Sequence, residues 1–129
     1  MAQSTTSRWY DLPSLLKLIH KAWITDEPSL TVQSRNYDGD TPLHTVIVWG
    51  DVGAAELLIK QGADVNAKGE DDRTPLHHAA SFNRPDIARM LMNAGANLNA
   101  RNIDGHTASD LARIRGHTEV TNALTKRAI

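Results

Sequence analysis

The segment "TPLHTVIVWGDVGAAELLIKQGADVNAK", residues 41–68, is written again at 74–101 as "TPLHHAASFNRPDIARMLMNAGANLNAR". A shorter copy, "TASDLARIRGHTEVTNALTKRAI", begins at Thr107, so the offset is 33 residues both times. The register runs through each copy: Gly50, Asn83 and Gly116 align, as do Leu58, Leu91 and Leu124. Gly62 aligns with Gly95, Ala63 with Ala96 and Asn66 with Asn99, while Val32 and Gln33 hold the same spacing ahead of the first full copy. Self-similarity at a period of 20–50 residues is the mark of a repeat array, in which each unit buries its apolar face only against a neighbour.

Local chemistry gives each unit two helices. Thr41 and Thr74 stand at N-cap positions and Pro42 and Pro75 follow at the first helical turn. A threonine hydroxyl accepts from an orphan amide there, and proline lacks the donor that would go unused. First helices are expected over 42–49 and 75–82, and second helices over 52–61, 85–94 and 118–126. Leu57, Leu58, Ile87, Leu91, Val120 and Leu124 give the second helices apolar faces. Gly50 and Gly116 suit the left-handed residue that ends a helix, and Asn83, in the same column, is the next most tolerant type. Asn36-Tyr37-Asp38-Gly39 and Asn102-Ile103-Asp104-Gly105 read as turn tips. The middle tip, Gly69-Glu70-Asp71-Asp72, has Asp in place of the glycine and is expected to be distorted or mobile.

A 33-residue period carrying TPLH and GADVN resembles the ankyrin repeat family, and the resemblance covers residues 30–129. It implies an all-α solenoid of stacked helix-turn-helix units with projecting β-turns. The chain then divides as one domain into an N-terminal cap or divergent repeat (1–35), two repeats (36–68 and 69–101) and a C-terminal capping repeat (102–129). The ends differ from the middle, as the polar outer sides of terminal units require. Ala108 and Asp110 replace the Pro and His of TPLH, and Thr118, Glu119, Thr121, Asn122 and Thr125 face water. Leu12, Leu15, Leu16, Ile19 and Trp23 follow helical spacing after Asp11, and Asp26-Glu27-Pro28 is expected to stop that helix. It reads as a cap on the first full repeat, with a detachable partner-binding helix as the alternative.

Composition narrows the function. A net charge of -1 and no basic excess argue against nucleic-acid binding. The absence of cysteine removes disulfides, thiolate metal sites and a thiol nucleophile. No apolar run approaches a membrane span, and "MAQSTTSRWY" has no signal core, so a cytoplasmic protein is the default expectation. Between Asn36 and Asp72 the acids outnumber the bases, whereas Arg101, Arg113, Arg115, Lys126 and Arg127 tip the C-terminal end the other way.

The adjacent His77 and His78 invite a metal or proton-transfer reading. The resemblance implies instead that His44 and His77 bond the threonine of their own motif and the backbone of a neighbouring turn. Stacked helices lie about 8–10 Å apart, so equivalent atoms of His44 and His77 cannot share a metal with ligand distances near 2 Å. His78 is expected on the concave side as a candidate contact, His117 is read as structural, and His20 and His106 as surface residues. Glu70, Asp71 and Asp72 could attract a divalent cation, but a solvated tip is the expectation. Ser81 and Ser109 have no base-and-orienter pair, and no phosphate loop or nucleophile elbow occurs. No cofactor or metal is expected.

Ankyrin proteins contact partners through turn tips and the concave faces of first helices. Those columns here are Val48, Ser81 and Ile114; Trp49, Phe82 and Arg115; Tyr37, Glu70 and Ile103; Asp38, Asp71 and Asp104; and Asp40, Arg73 and His106. Only six residues in the chain are aromatic, and Trp49 and Phe82 share one column. Trp, Tyr and Arg dominate binding hot spots, so Val48, Trp49, His78, Phe82, Ile114 and Arg115, with Tyr37, Asp38, Asp40, Glu70, Asp71 and Arg73 at the tips, form the candidate binding surface. The expected function is non-enzymatic: binding, and inhibiting or neutralising, a partner protein with a basic patch, by a chain monomeric when unbound. Toxin immunity is a sharper form of this. A scaffold or adaptor and a metal-dependent hydrolase built on His77 and His78 are the rivals.

Overall fold

A computed structural model describes residues 11–126. The first ten residues, read above for a signal, and Arg127 lie outside it, as does the Lys126 side chain. The described residues form α1 (Leu12–Ala22), α2 (Pro42–Trp49), α3 (Val52–Lys60), α4 (Pro75–Ser81), α5 (Pro85–Asn93), α6 (Ala108–Ile114) and α7 (Thr118–Lys126), with a 3-10 turn at Glu70–Asp72 and no strand. First helices α2, α4 and α6 stack on one another, second helices α3, α5 and α7 do the same, and α1 packs on α2 and α3.

The caps explain why the helices start where they do. Thr41, Thr74 and Thr107 each accept from the backbone three residues on, and residue N3 returns a bond to the cap amide. That reciprocal box is worth about 1 kcal/mol per helix. Gly50, Asn83 and Gly116 all take positive φ at the ends of the first helices, as their column predicts. Helices α3, α4 and α5 stop one residue earlier than expected, and α7 spans the expected residues. Helix α1 ends four residues before Asp26, because Trp23 turns into extended backbone and is buried, with its indole N–H donating to Thr45 Oγ1 at 2.9 Å.

The core is aliphatic and small. Leu43, Ile47, Leu58, Leu76, Ile87 and Leu91 are buried, and Ala54, Ala55, Ala79, Ala80, Ala88 and Ala112 let neighbouring helices approach closely. Burying each large side chain contributes about 1.5–3 kcal/mol.

Polar bonds then fix the stacking. His44 Nδ1 accepts from the Thr41 amide at 3.1 Å, so its proton sits on Nε2, which donates to Arg73 O at 2.9 Å. His77 repeats this with Thr74 and His106 O, the latter also at 2.9 Å. Burial holds both imidazoles below the usual histidine pKa, which keeps them in the neutral form the bonds need. In the third unit Asp110 closes the same box, accepting from the Thr107 amide at 3.0 Å, but bonds no further unit.

A second set of ties joins the units, of which only His117 carried a sequence signal. Arg84 donates through Nε to Ile47 O at 3.1 Å and through Nη2 to Val48 O at 2.7 Å, clamping the C-terminus of α2. His117 occupies the equivalent position and donates through Nδ1 to Ala80 O at 2.8 Å, closing α4 in the same way.

Candidate protein-binding surface

The first and third tips share one chemistry and the middle tip differs. In the first, Asn36 Oδ1 accepts from the Asp38 and Asp40 amides, and in the third Asn102 Oδ1 accepts from Asp104 and His106. Gly69 fills that position in the middle tip and offers no side chain. Asp71 and Asp72 there take φ of 57° and 60°, the left-handed region that costs a non-glycine residue strain. Asp40 compensates from the neighbouring tip: its Oδ1 accepts from the Glu70 amide at 3.0 Å. The middle tip is distorted, and a carboxylate from the tip before it supports it.

The carboxylates of the first two tips therefore converge. Asp38, Glu70 and Asp71 are exposed, and Asp40 is half-buried beneath them. The charge of Asp38 is the largest influence raising the Glu70 pKa, followed by desolvation and by Asp71 and Asp40, against the pull of Arg73. Tyr37 is exposed and its hydroxyl donates to Asp26 Oδ2 at 3.1 Å.

The first helices start at the tips, and a second group of candidate residues lies at their far ends, a helix length away. Trp49 closes α2, Phe82 is the C-cap of α4 and Arg115 the C-cap of α6. Trp49 stays 41% exposed and Phe82 42%, flanked by exposed Val48 and Ile114, while Ser81 between them is buried. Arg115 is exposed at the negative end of its helix dipole, where a cation is favoured. Together these side chains make an apolar strip with a basic end, while the acidic tips lie at the opposite ends of the same helices.

The family profile described as Ankyrin repeats (3 copies) matches residues 10–102 and again 71–129. The chain belongs to the ankyrin-repeat family. Ankyrin repeats are protein-binding modules without enzymatic chemistry, and the partner of such a module is a protein. No curated relative matches the chain. Among the described residues no cluster of three His, Asp or Glu side chains could hold a metal, and no helix is long and apolar enough to cross a membrane.

One candidate contact of this ankyrin array sits elsewhere than expected. His78 is only 6% exposed, enclosed between the His44 ring (centroids 4.9 Å apart, nearly edge-on) and the Phe82 ring (5.9 Å). Its column explains the difference. Thr45 is bonded to Trp23 and Leu111 is buried, so the position faces a neighbouring element rather than solvent. Arg73 is half-buried, and its carbonyl serves His44. His20 is tied by Nε2 to Glu27 O at 2.7 Å, and His106 lends its carbonyl to His77. Missing from the sequence reading was Asp40 as a link between tips. Its only hint was an acid next to TPLH in a chain whose next tip lacks asparagine.

Proposed function

We propose that this ankyrin array binds a partner protein and, by covering it, inhibits or neutralises it. The contact strip is Val48, Trp49, Phe82, Ile114 and Arg115. The acidic tips, at the other ends of the helices, are Tyr37, Asp38, Asp40, Glu70 and Asp71, with Arg73 beneath. His78 acts from below by supporting Phe82. One observation carries the reading: two large aromatic side chains stay more than 40% exposed at the ends of consecutive first helices. The fold does not need an aromatic at either place, and aromatic anchors supply a large share of interface energy. The acidic tips favour a partner with a basic patch and speed encounter with it. Neutralisation of a toxin is the specific form that suits a small module whose activity is occlusion.

The test is Trp49→Ala combined with Phe82→Ala. Binding to the partner captured by the wild-type protein should weaken by at least about 30-fold, the scale of one hot-spot residue. Helix content should be retained, and the unfolding free energy should change by no more than about 1 kcal/mol, as for partly exposed sites. Undiminished capture by a folded double variant refutes the surface.

A further inference from the structure

His78 is a buried polar group between the first tip and the aromatic strip. Its Nε2 lies 4.0 Å from Asp40 Oδ2, too far for a hydrogen bond. Its Nδ1 is buried without a hydrogen-bond partner. The neutral ring is held by packing alone, edge-on against His44 and under Phe82. The other oxygen of the same Asp40 carboxylate holds the Glu70 amide of the middle tip. One ring thus touches the aromatic strip on one side and faces the tip's supporting carboxylate on the other.

The titratable and charged groups around it are few. Asp40 comes from the first tip, His44 from α2, Arg73 from the base of the middle tip and His77 from its own helix. Helix α6, which packs on α4, brings Asp110 and Arg113, and these pair with each other. Asp40 is therefore the carboxylate within reach of a protonated His78, whereas His44, Arg73 and His77 all oppose the charge.

We infer that His78 is a proton-operated joint: on taking a second proton from solvent, its ring closes the gap to Asp40 and withdraws from beneath Phe82, changing the aromatic strip and the middle tip together. A buried imidazolium with one unbonded N–H is costly, and the only gain on offer is the ion pair with Asp40. Burial, with His44 next in weight, pushes the pKa down to about 4, so the joint is closed at neutral pH and opens in acid. Loss of partner binding in acid is the consequence, and that consequence alone rests on the binding role proposed above.

The chain contains a single phenylalanine, so 4-fluorophenylalanine labelling gives one 19F signal, at Phe82. In the wild-type protein that signal should shift with a midpoint at higher pH than the loss of helical circular dichroism. His78→Leu, which installs the residue found at Leu111 in the same column, should remove the shift that precedes helix loss. Asp40→Asn should move the midpoint to lower pH, because the anion that receives the proton's charge is gone. The joint is refuted if the signal moves only together with helix loss, if the early shift persists in His78→Leu, or if Asp40→Asn leaves the midpoint unchanged. The unbound protein suffices, so a normal titration alongside unimpaired binding by the Trp49/Phe82 variant would preserve the joint and refute the binding surface.

Discussion

Gly69→Ala is a small change with a large expected effect. Gly69 has φ of -100°, so it is not one of the positive-φ glycines, and the nearest obstacle to a side chain is a neighbour. A Cβ at this position would stand 2.1 Å from Asp40 Oδ1 and 3.1 Å from His44 Nε2. The imidazole is fixed by its bond to Arg73 O, so the carboxylate is the group that must leave. Its departure breaks the 3.0 Å bond to the Glu70 amide, which then turns to water. Hydrogen bonds to charged groups contribute about 1.5–3 kcal/mol. An exposed amide that recovers a water bond sets the expected loss near the low end, at about 2 kcal/mol. For a chain of this length that corresponds to a Tm lower by about 5–10 °C. Urea unfolding followed by circular dichroism at pH 7 gives the free energy directly. On an Asp40→Ala background the bond and the Asp40 clash are both absent and only the 3.1 Å approach to His44 Nε2 remains, so Gly69→Ala should cost clearly less than it does in the wild-type chain. Equal costs on the two backgrounds, or a neutral Gly69→Ala, would refute the reasoning. Gly69→Asn sharpens the point. It copies Asn36 and Asn102 from the other tips, so the repeat pattern recommends it, yet it carries the same Cβ and should be harmful too.

Arg84→Ala should cost about 1–2 kcal/mol in urea unfolding, because the Ile47 and Val48 carbonyls lose their bonds to a charged donor; a neutral result would mean that water replaces the clamp in full. Stability should also fall in acid. His78 in the folded chain titrates below its ordinary value of 6.5, at about 4, so between those pH values the unfolded chain binds more protons and unfolding is favoured as pH falls. At about 1.4 kcal/mol per pKa unit this amounts to about 3 kcal/mol by pH 4, and the lowered pKa values of His44 and His77 act in the same direction. Urea midpoints measured from pH 7 to pH 5 should fall less steeply for His78→Leu than for wild type, and parallel curves would contradict the assignment.

What the sequence made legible was whatever repeats in residue type. Thr41 with His44 and Thr74 with His77 are local pairs in matching copies, so caps, helices and the stacking role of those histidines were readable. Helix ends were off by a residue where fraying decides them. Trp23 stopped α1 early because its partner, Thr45, is 22 residues away. Two columns that change residue type were legible only in part. Arg84 and His117 do one job with different donors, and Thr45, His78 and Leu111 differ so much that nothing marked the column as buried. The environment of His78 is set by Asp40 and His44, which meet it only once the units have stacked.

The substitution of Asp110 for histidine also bears on growth of the array. His44 and His77 are connectors that grip their own cap with one ring nitrogen and the following unit with the other. Asp110 grips its cap equally well but has no second arm to extend. A designer wishing to splice a further unit behind α7 would therefore begin inside the existing chain, at position 110, before touching the graft.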